Sequence, residues 1–202
     1  MPQPDASAVF KTTPQGELRL HIFRPAGWKA SDKRPAIVFF FGGGWVNGSP
    51  SQFYPHARHL AGKGMVAISA EYRIRSKHGT SPAECIADGK SAIRWVRNHA
   101  GELGVDPSRI GAGGGSAGGH VAAATATADG FEEPGEKGSG RPAALVLFNP
   151  ALDTVTLKLA AERFGSHAQA GSPVHNVRKG VPPAIVFHGT ADTTVPFSQA
   201  EE

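Results

Sequence analysis

A serine stands in the middle of a glycine-rich pentapeptide, residues 114–118 (GGSAG), which fits the pattern G-x-S-x-G. A short apolar stretch precedes it and an alanine-rich stretch follows, so the serine is expected on a turn from a strand into a helix. There the hydroxyl of Ser116 is exposed above the sheet, and the helix start directs the unpaired N–H of Ala117 toward a developing oxyanion. The pattern predicts a serine nucleophile; the alternative is a glycine-rich turn with a helix-capping serine.

A run of three glycines, residues 42–44, directly follows the apolar segment 36–41 (AIVFFF). Consecutive glycines expose backbone N–H groups without side chains in the way, and an oxyanion hole needs such donors on the side opposite the nucleophile. The run therefore predicts the second half of an oxyanion hole, with a flexible turn as the alternative.

An aspartate lies downstream of the serine, in the segment 188–196 (HGTADTTVP) that follows a late apolar stretch. A carboxylate placed just after the end of a strand can orient a catalytic imidazole. We therefore expect Asp192 to be the acid of a Ser–His–Asp triad. A loop aspartate or a helix cap is the alternative.

The elements that must position these residues alternate along the chain. Strands are predicted at 18–23, 36–41, 65–70, 109–112, 143–148 and 184–188, and helices at 51–62, 82–99, 116–128 and after Pro196. Continuously apolar strands between helices are typical of a mostly parallel sheet covered on both faces, so the predicted fold class is α/β. Ligands bind beyond the carboxyl ends of such strands, where all three motifs fall. The segment 153–183 is longer than a minimal crossover and is expected to form a small lid.

Composition bounds the class of protein. The 202 residues suit a single domain, 1–202, and 40% are hydrophobic, which is enough for a packed core. The net charge is +4, yet Lys and Arg are scattered among acids, which excludes a clustered nucleic-acid footprint. The longest apolar run is far short of the roughly 20 residues of a membrane span. The single cysteine, Cys85, is expected to be a buried small hydrophobe.

The N-terminal residues 1–9 show neither a basic head nor an apolar stretch, so no signal peptide is predicted in this chain. A signal removed earlier would leave the same trace. The default compartment is therefore the cytoplasm, with secretion as the alternative, and the sequence leaves the oligomeric state open.

No cofactor or metal is predicted. The glycines around the serine also match G-x-G-x-x-G, but a dinucleotide site belongs at the first strand of a βαβ unit, and several strands precede this one. No Lys-Ser/Thr follows the glycines, which excludes a P-loop. His56 and His59 form an H-x-x-H pair without a third ligand, so a zinc site is not expected.

From Pro35 to the C-terminus the chain resembles a carboxylesterase of the α/β-hydrolase superfamily, close to the hormone-sensitive-lipase-like and bacterial feruloyl or acetyl-xylan-esterase-like groups. The motifs that carry this resemblance are FFFGGGW, SAEYR, DPSRIGAGGGSAGGHVAA, LVLFNPALD and KGVPPAIVFHGTADTTVPF. One departure is that the glycine loop opens with Phe41, where the family usually has histidine. The donors are glycine N–H groups, so the oxyanion hole is expected to persist, but the departure raises the question of what holds this loop in place.

The resemblance implies roles for five residues. Ser116 is the nucleophile and Asp192 the acid, while Gly43, Gly44 and Ala117 donate to the oxyanion. The implied reaction is two-step acyl transfer, in which an ester acylates the serine and water releases the acid.

The general base is missing from this arrangement. The family order is Ser, Asp, His, and none of residues 193–202 is histidine. The pattern predicts roughly 25 or more further residues, so we expect a C-terminally truncated chain that lacks the last strand and helix. An alternative triad, Ser116–Asp153–His175, keeps the same order.

The sequence favours a serine ester hydrolase that acts on small molecules, with short-chain acyl or carbohydrate-linked esters as substrates. Two alternatives stay open. One is a catalytically inactive hydrolase-like protein or fragment without the base, and the other is a serine peptidase domain of the prolyl-oligopeptidase type.

Overall fold

The computed structural model describes residues 1–201, which form a seven-stranded mixed sheet flanked by helices. The strands are β1 Ala6–Thr13, β2 Gly16–Phe23, β3 Arg34–Phe40, β4 Val66–Ala70, β5 Val105–Gly115, β6 Leu145–Phe148 and β7 Ala184–Phe187. The helices are α1 Tyr54–Gly62, α2 Arg75–His78, α3 Pro82–Asn98, α4 Ala100–Leu103, α5 Ala117–Thr127, α6 Lys158–Phe164 and α7 Ala168–Gly171. Short 3-10 turns occur at Pro50–Phe53, Gly165–His167, Val174–Asn176 and Phe197–Ala200.

The strand order is β1-β2-β4-β3-β5-β6-β7. β1 pairs with β2 and β2 with β4 in antiparallel fashion, and every other pairing is parallel. The predicted α/β class with a mostly parallel sheet is therefore confirmed. Its parallel strands end at a common edge, where the loops after β3, β5 and β7 carry the glycine run, the serine and the aspartate.

The centre of β3 shows how the sheet is covered on both faces. Successive side chains of a strand point to opposite faces. The ring of Phe39 packs against Phe53 at the start of α1, while the ring of Phe40 approaches Gly89 of α3. A Cβ on Gly89 would stand 2.7 Å from Val121 of α5, so this glycine lets α3 and α5 pack closely on one side.

Helix α3 begins with a capping box. The Ser81 side chain accepts a hydrogen bond from a backbone N–H of the first turn, and the Glu84 side chain accepts one from the backbone N–H of Ser81. Its Asp88 is fully buried and lies within 2.8 Å of the Arg73 guanidinium and 2.6 Å of the Lys11 ammonium. A buried carboxylate needs such partners because burial removes it from water. Cys85 is also fully buried, as predicted.

Several elements differ from the sequence prediction, among them the helix expected after Pro196, which within the described residues is a 3-10 turn at Phe197–Ala200. β1 was not anticipated, because a bulge between Val9 and Lys11 breaks its alternation. β5 begins at Val105 rather than at 109. β7 forms, but the prediction that it is buried is wrong: Ile185 and Phe187 are 51% and 50% exposed. All four residues of β7 are exposed, because the other described elements do not cover its two faces.

The segment 153–183 folds into α6, α7 and short 3-10 turns. It is anchored by Phe164, which is buried edge-on against Trp45 and His120. Its role as a lid stays a prediction. Within the described part of the chain, no helix has the length and apolar character to cross a bilayer, and no group of three metal-ligating side chains occurs.

Candidate active site

Ser116 occupies a strained turn between β5 and α5. Its backbone has φ 53° and ψ −122°, which non-glycine residues adopt rarely and which costs free energy unless the surroundings impose it. They impose it here: a Cβ on Gly114 would meet the Phe40 carbonyl at 2.5 Å, and one on Gly118 would overlap that same carbonyl. The Ser116 N–H donates to the Phe148 carbonyl at 3.0 Å. The predicted strand–turn–helix geometry of the pentapeptide is confirmed.

The glycine loop after β3 runs beside this turn. A Cβ on Gly42 would lie 2.9 Å from the Gly115 carbonyl oxygen and 3.3 Å from the Cβ of Ser116, so a larger residue here would push the two loops apart. Gly43 and Gly44 both have positive φ, +133° and +61°, and a Cβ on Gly43 would overlap the Asn47 carbonyl. The sequence of three glycines is thus required by the shape of the loop, which removes the flexible-turn alternative.

Three backbone N–H groups near the serine have no acceptor among residues 1–201. They belong to Gly43, Gly44 and Ala117, the last because the first residue of a helix has no intrahelical acceptor for its N–H. The Ser116 hydroxyl likewise forms no hydrogen bond within the described residues. A partly exposed hydroxyl beside unpaired donors is an arrangement that can attack a carbonyl and hold the resulting oxyanion.

Two open cavities meet at Ser116 and Gly43. The first, about 270 Å³, is lined by Gly42, Gly43, Gln52, Phe53, His56, Gly115, Ser116, Phe148 and Asn149. The second, about 300 Å³, is lined by Gly43, Gly44, Trp45, Ser116, Ala151, Leu157, Leu159, Arg163, Thr194 and Val195. The predicted nucleophile and both predicted glycine donors are therefore brought together, and the segment 153–183 supplies one wall.

The question of what holds the glycine loop has a clear answer. The ring of Phe41 stacks on Tyr72 with centroids 4.2 Å apart, and the Tyr72 hydroxyl donates to the Phe41 carbonyl at 2.6 Å. The Gly42 N–H donates to Oε1 of Gln52 at 2.5 Å. Sequence analysis missed both polar side chains; the motif SAEYR contains the tyrosine but does not indicate its partner.

Trp45, which ends the glycine loop, is tied to the helix that carries the serine. Its indole N–H donates to Nδ1 of His120 at 3.2 Å, so the other ring nitrogen must carry the proton and donate to the Gly171 carbonyl at 2.9 Å. Burial lowers the pKa of His120 to about 4. His120 is thus a neutral, fully buried link, on the packing side of its helix as its spacing from Ser116 predicts.

Asp192 lies in the loop after β7. Its Oδ1 accepts the N–H groups of Thr194 at 2.8 Å and Val195 at 2.9 Å, and these hydrogen bonds hold the pKa of the carboxyl below its usual range. Its Oδ2 accepts no hydrogen bond within the described residues and stands 3.8 Å from Nε2 of His188, which itself contacts the Val195 carbonyl at 2.8 Å. Asp192 does not line either cavity, but Thr194 and Val195, whose N–H groups it accepts, line the second cavity.

The alternative pair, Asp153 and His175, does come together, with Oδ1 and Nδ1 3.7 Å apart. However, Asp153 is buried, it accepts from the backbone N–H groups of Val155 and Thr156, and neither member of the pair lines a cavity with Ser116. The structure therefore does not assemble that triad.

No histidine in the described part of the chain hydrogen-bonds to the Ser116 hydroxyl. His56 is the imidazole that shares a cavity with it, and the His56 ring packs on Phe53 and Phe148 with centroids 5.0 and 5.4 Å away. The site thus brings the Ser116 hydroxyl together with the unpaired N–H groups of the glycine loop, while Asp192 lies outside both cavities and no imidazole of the described residues contacts the hydroxyl.

The strand order, the serine on its strained turn and the glycine loop beside it together define a protein of the α/β-hydrolase class. The BD-FAE family model matches residues 20–202, and the chain belongs to that family. The resemblance to α/β-hydrolase carboxylesterases of the hormone-sensitive-lipase type is confirmed.

The chain is also similar to several proteins that are named as esterases. The structure of Thermogutta terrifontis esterase 2 phosphoramylated by tabun is 52% identical, with a TM-score of 0.93 over 97% of this chain and 75% of that one. Esterase LipC of Mycobacterium tuberculosis is 30% identical over 86% of this chain and 49% of the relative. The probable carboxylic ester hydrolase LipM of the same organism is 31% identical over 90% and 46%. The chain spans about half the length of these two curated relatives.

Proposed function

We propose that the protein is a serine carboxylesterase. The observation that carries the proposal is the partly exposed hydroxyl of Ser116, unpaired on a strained turn, with the unpaired N–H groups of Gly43, Gly44 and Ala117 beside it. The names of the relatives support this assignment. Thermogutta terrifontis esterase 2, which is similar over nearly the whole chain, has been solved phosphorylated by paraoxon, a reagent class that reacts with activated serines.

In the proposed reaction, Oγ of Ser116 attacks the ester carbonyl, and the three N–H groups donate to the oxyanion that forms. The C–O bond to the alcohol breaks, the alcohol leaves with a proton, and an acyl-serine remains. Water then attacks the acyl-serine, and the acid is released with the serine restored. Preorganised donors of this kind contribute about 10²–10³ each to kcat in the enzymes where they have been removed.

The cycle also needs a general base that takes the serine proton. The free Oδ2 of Asp192 is suited to orient an imidazole, since Oδ1 is already fixed by two backbone N–H groups. Among residues 1–201 no imidazole contacts the Ser116 hydroxyl, so the base is the one part of the cycle without an assigned residue. The second candidate is a catalytically inactive hydrolase-like protein, and the test below distinguishes the two.

Short-chain acyl esters are the proposed substrates, with carbohydrate-linked esters included. The cavities at Ser116 are only about 270 and 300 Å³, and aromatic or aliphatic side chains such as Phe53, Phe148, Leu157 and Leu159 form their walls. Walls of this kind accept a small apolar acyl group. Thermogutta terrifontis esterase 2 has been solved with propionate and with butyrate bound, which supports the same size class.

The test uses a fluorophosphonate probe and p-nitrophenyl acetate. We expect the probe to label this chain, or the product of its complete reading frame, at Ser116, and Ser116→Ala to abolish labelling. Ser166→Ala, which alters an exposed serine on the same chain, is the matched control. Turnover of the acetate by the complete product supports the esterase. A folded complete product that neither reacts with the probe nor turns over the ester establishes the inactive alternative.

A further inference from the structure

A third cavity, about 240 Å³, adjoins the active-site cleft. Trp45 and Arg163 line both this cavity and the cleft that contains Ser116, so the two spaces share a wall. The outer part of the cavity is formed by Arg75 and by the chain leading into α3. An ester held at the serine could extend toward this cavity past the side chains of Trp45 and Arg163.

The cavity is lined by two guanidinium groups that lack an acidic partner. Arg163 uses one nitrogen, Nη1, to donate to the Gly44 carbonyl, and its other N–H groups have no acceptor in the described residues. Arg75 forms no ion pair among residues 1–201. Burial, and then the nearby charge of Arg75, lower the pKa of Arg163, and the charge of Glu162 opposes them.

A third polar group in the cavity is also unsatisfied. The Thr80 hydroxyl oxygen is buried and has no hydrogen-bond partner within the described residues. Buried polar atoms are nearly always paired, so this hydroxyl is an exception, but its oxygen is closed to solvent, and the two guanidinium groups are the donors that a ligand in the cavity could reach. Glu162 also lines the cavity; like Arg75 it is exposed, and it opposes part of the positive charge.

We propose that this cavity is a carboxylate-binding subsite, and that the enzyme prefers esters that carry a second, free carboxylate. This inference rests on the proposed esterase function, since it names the substrate class of the same cleft. A planar guanidinium donates two parallel hydrogen bonds to a carboxylate, and a partly enclosed site strengthens such charge-assisted bonds. The product of the reaction is then a dicarboxylic acid, or a carboxylate-bearing alcohol.

The test measures binding of glutarate and butyrate to the Ser116→Ala chain by titration calorimetry. This variant cannot be acylated, so binding is measured without turnover. We expect glutarate to bind about tenfold more tightly than butyrate, because butyrate has no second carboxylate for the arginines. The preference should shrink as salt is added, because salt screens the charges.

Two variants identify the residues responsible. Arg75→Ala should weaken glutarate binding about tenfold, while Lys77→Ala, which removes the same charge from the same short helix outside this cavity, should change it less than about twofold. Glu162→Gln should strengthen glutarate binding. Equal affinities for the two acids, or equal losses in the Arg75 and Lys77 variants, overturn the subsite.

The labelling experiment at Ser116 keeps this outcome separate from the esterase proposal. Labelling without any preference for glutarate rejects the subsite alone. A preference for glutarate in a complete product that cannot be labelled rejects the esterase and leaves an anion-binding cavity.

Discussion

The buried link between Trp45 and His120 predicts how stability responds to acid. In the unfolded chain, His120 takes up a proton near its ordinary pKa of about 6.5. In the folded chain its pKa is lowered to about 4, because the ring is fully buried. Between these values the unfolded state holds more protons than the folded state, so the free energy of unfolding falls as the pH is lowered.

The size of the effect follows from the same two values. A pKa difference of about 2.5, at about 1.36 kcal/mol for each pH unit, gives a loss of about 3 kcal/mol on going from pH 7 to pH 4. No loss is expected from this group above pH 7, where the imidazole is neutral in both states.

The assay is urea unfolding at a series of pH values between 7 and 4, for the native chain and for His120→Gln. Carboxylates and exposed histidines titrate equally in both proteins, so the quantity of interest is the difference between the two free energies of unfolding. The glutamine side chain of the variant keeps an amide that can donate to the Gly171 carbonyl but has no titrating group. If this variant fails to fold, His120→Asn takes its place.

We expect the native chain to lose about 3 kcal/mol relative to the variant across this range. Parallel curves for the two proteins refute the buried neutral imidazole. A native chain that gains stability relative to the variant in acid refutes the direction of the pKa shift.

Two further substitutions test the packing around the site, both read out by chemical unfolding. Gly118→Ala forces a Cβ into the Phe40 carbonyl and should abolish folding or lower the free energy of unfolding by more than about 3 kcal/mol. The control Gly62→Ala, whose Cβ meets nothing within 4 Å, should change the free energy of unfolding by less than about 1 kcal/mol. Equal effects of the two substitutions contradict the close approach at Gly118. Asp88→Ala removes the buried partner that Lys11 and Arg73 share and leaves both with Glu133 alone, so it should cost about 3 kcal/mol, against less than about 1 kcal/mol for Asp129→Ala at an exposed ion pair.

The serine turn was predictable because its determinants are adjacent in sequence. Gly114, Ser116 and Gly118 lie within five consecutive positions, and their small size already indicates a tight approach. The glycine run was predictable for the same reason. The central strands were also identified, since a strand buried on both faces is continuously apolar.

The contacts that hold the glycine loop could not be predicted, because they join residues far apart in the chain. Tyr72 and Arg163 donate to carbonyls that are 31 and 119 positions away. No local pattern indicates which carbonyl a side chain will meet. The burial of β7 was mispredicted for a related reason. The sequence of an apolar strand does not indicate whether another element covers its faces.

The uncovered strand β7 has a consequence for the chain in solution. Residues 184–187 (AIVF) contain no charge and no proline, the two devices with which proteins protect an edge, and their outer N–H and C=O groups face solvent. Among residues 1–201 this edge is therefore the part of the sheet that is open to pairing with a further strand, from the same polypeptide or from another molecule.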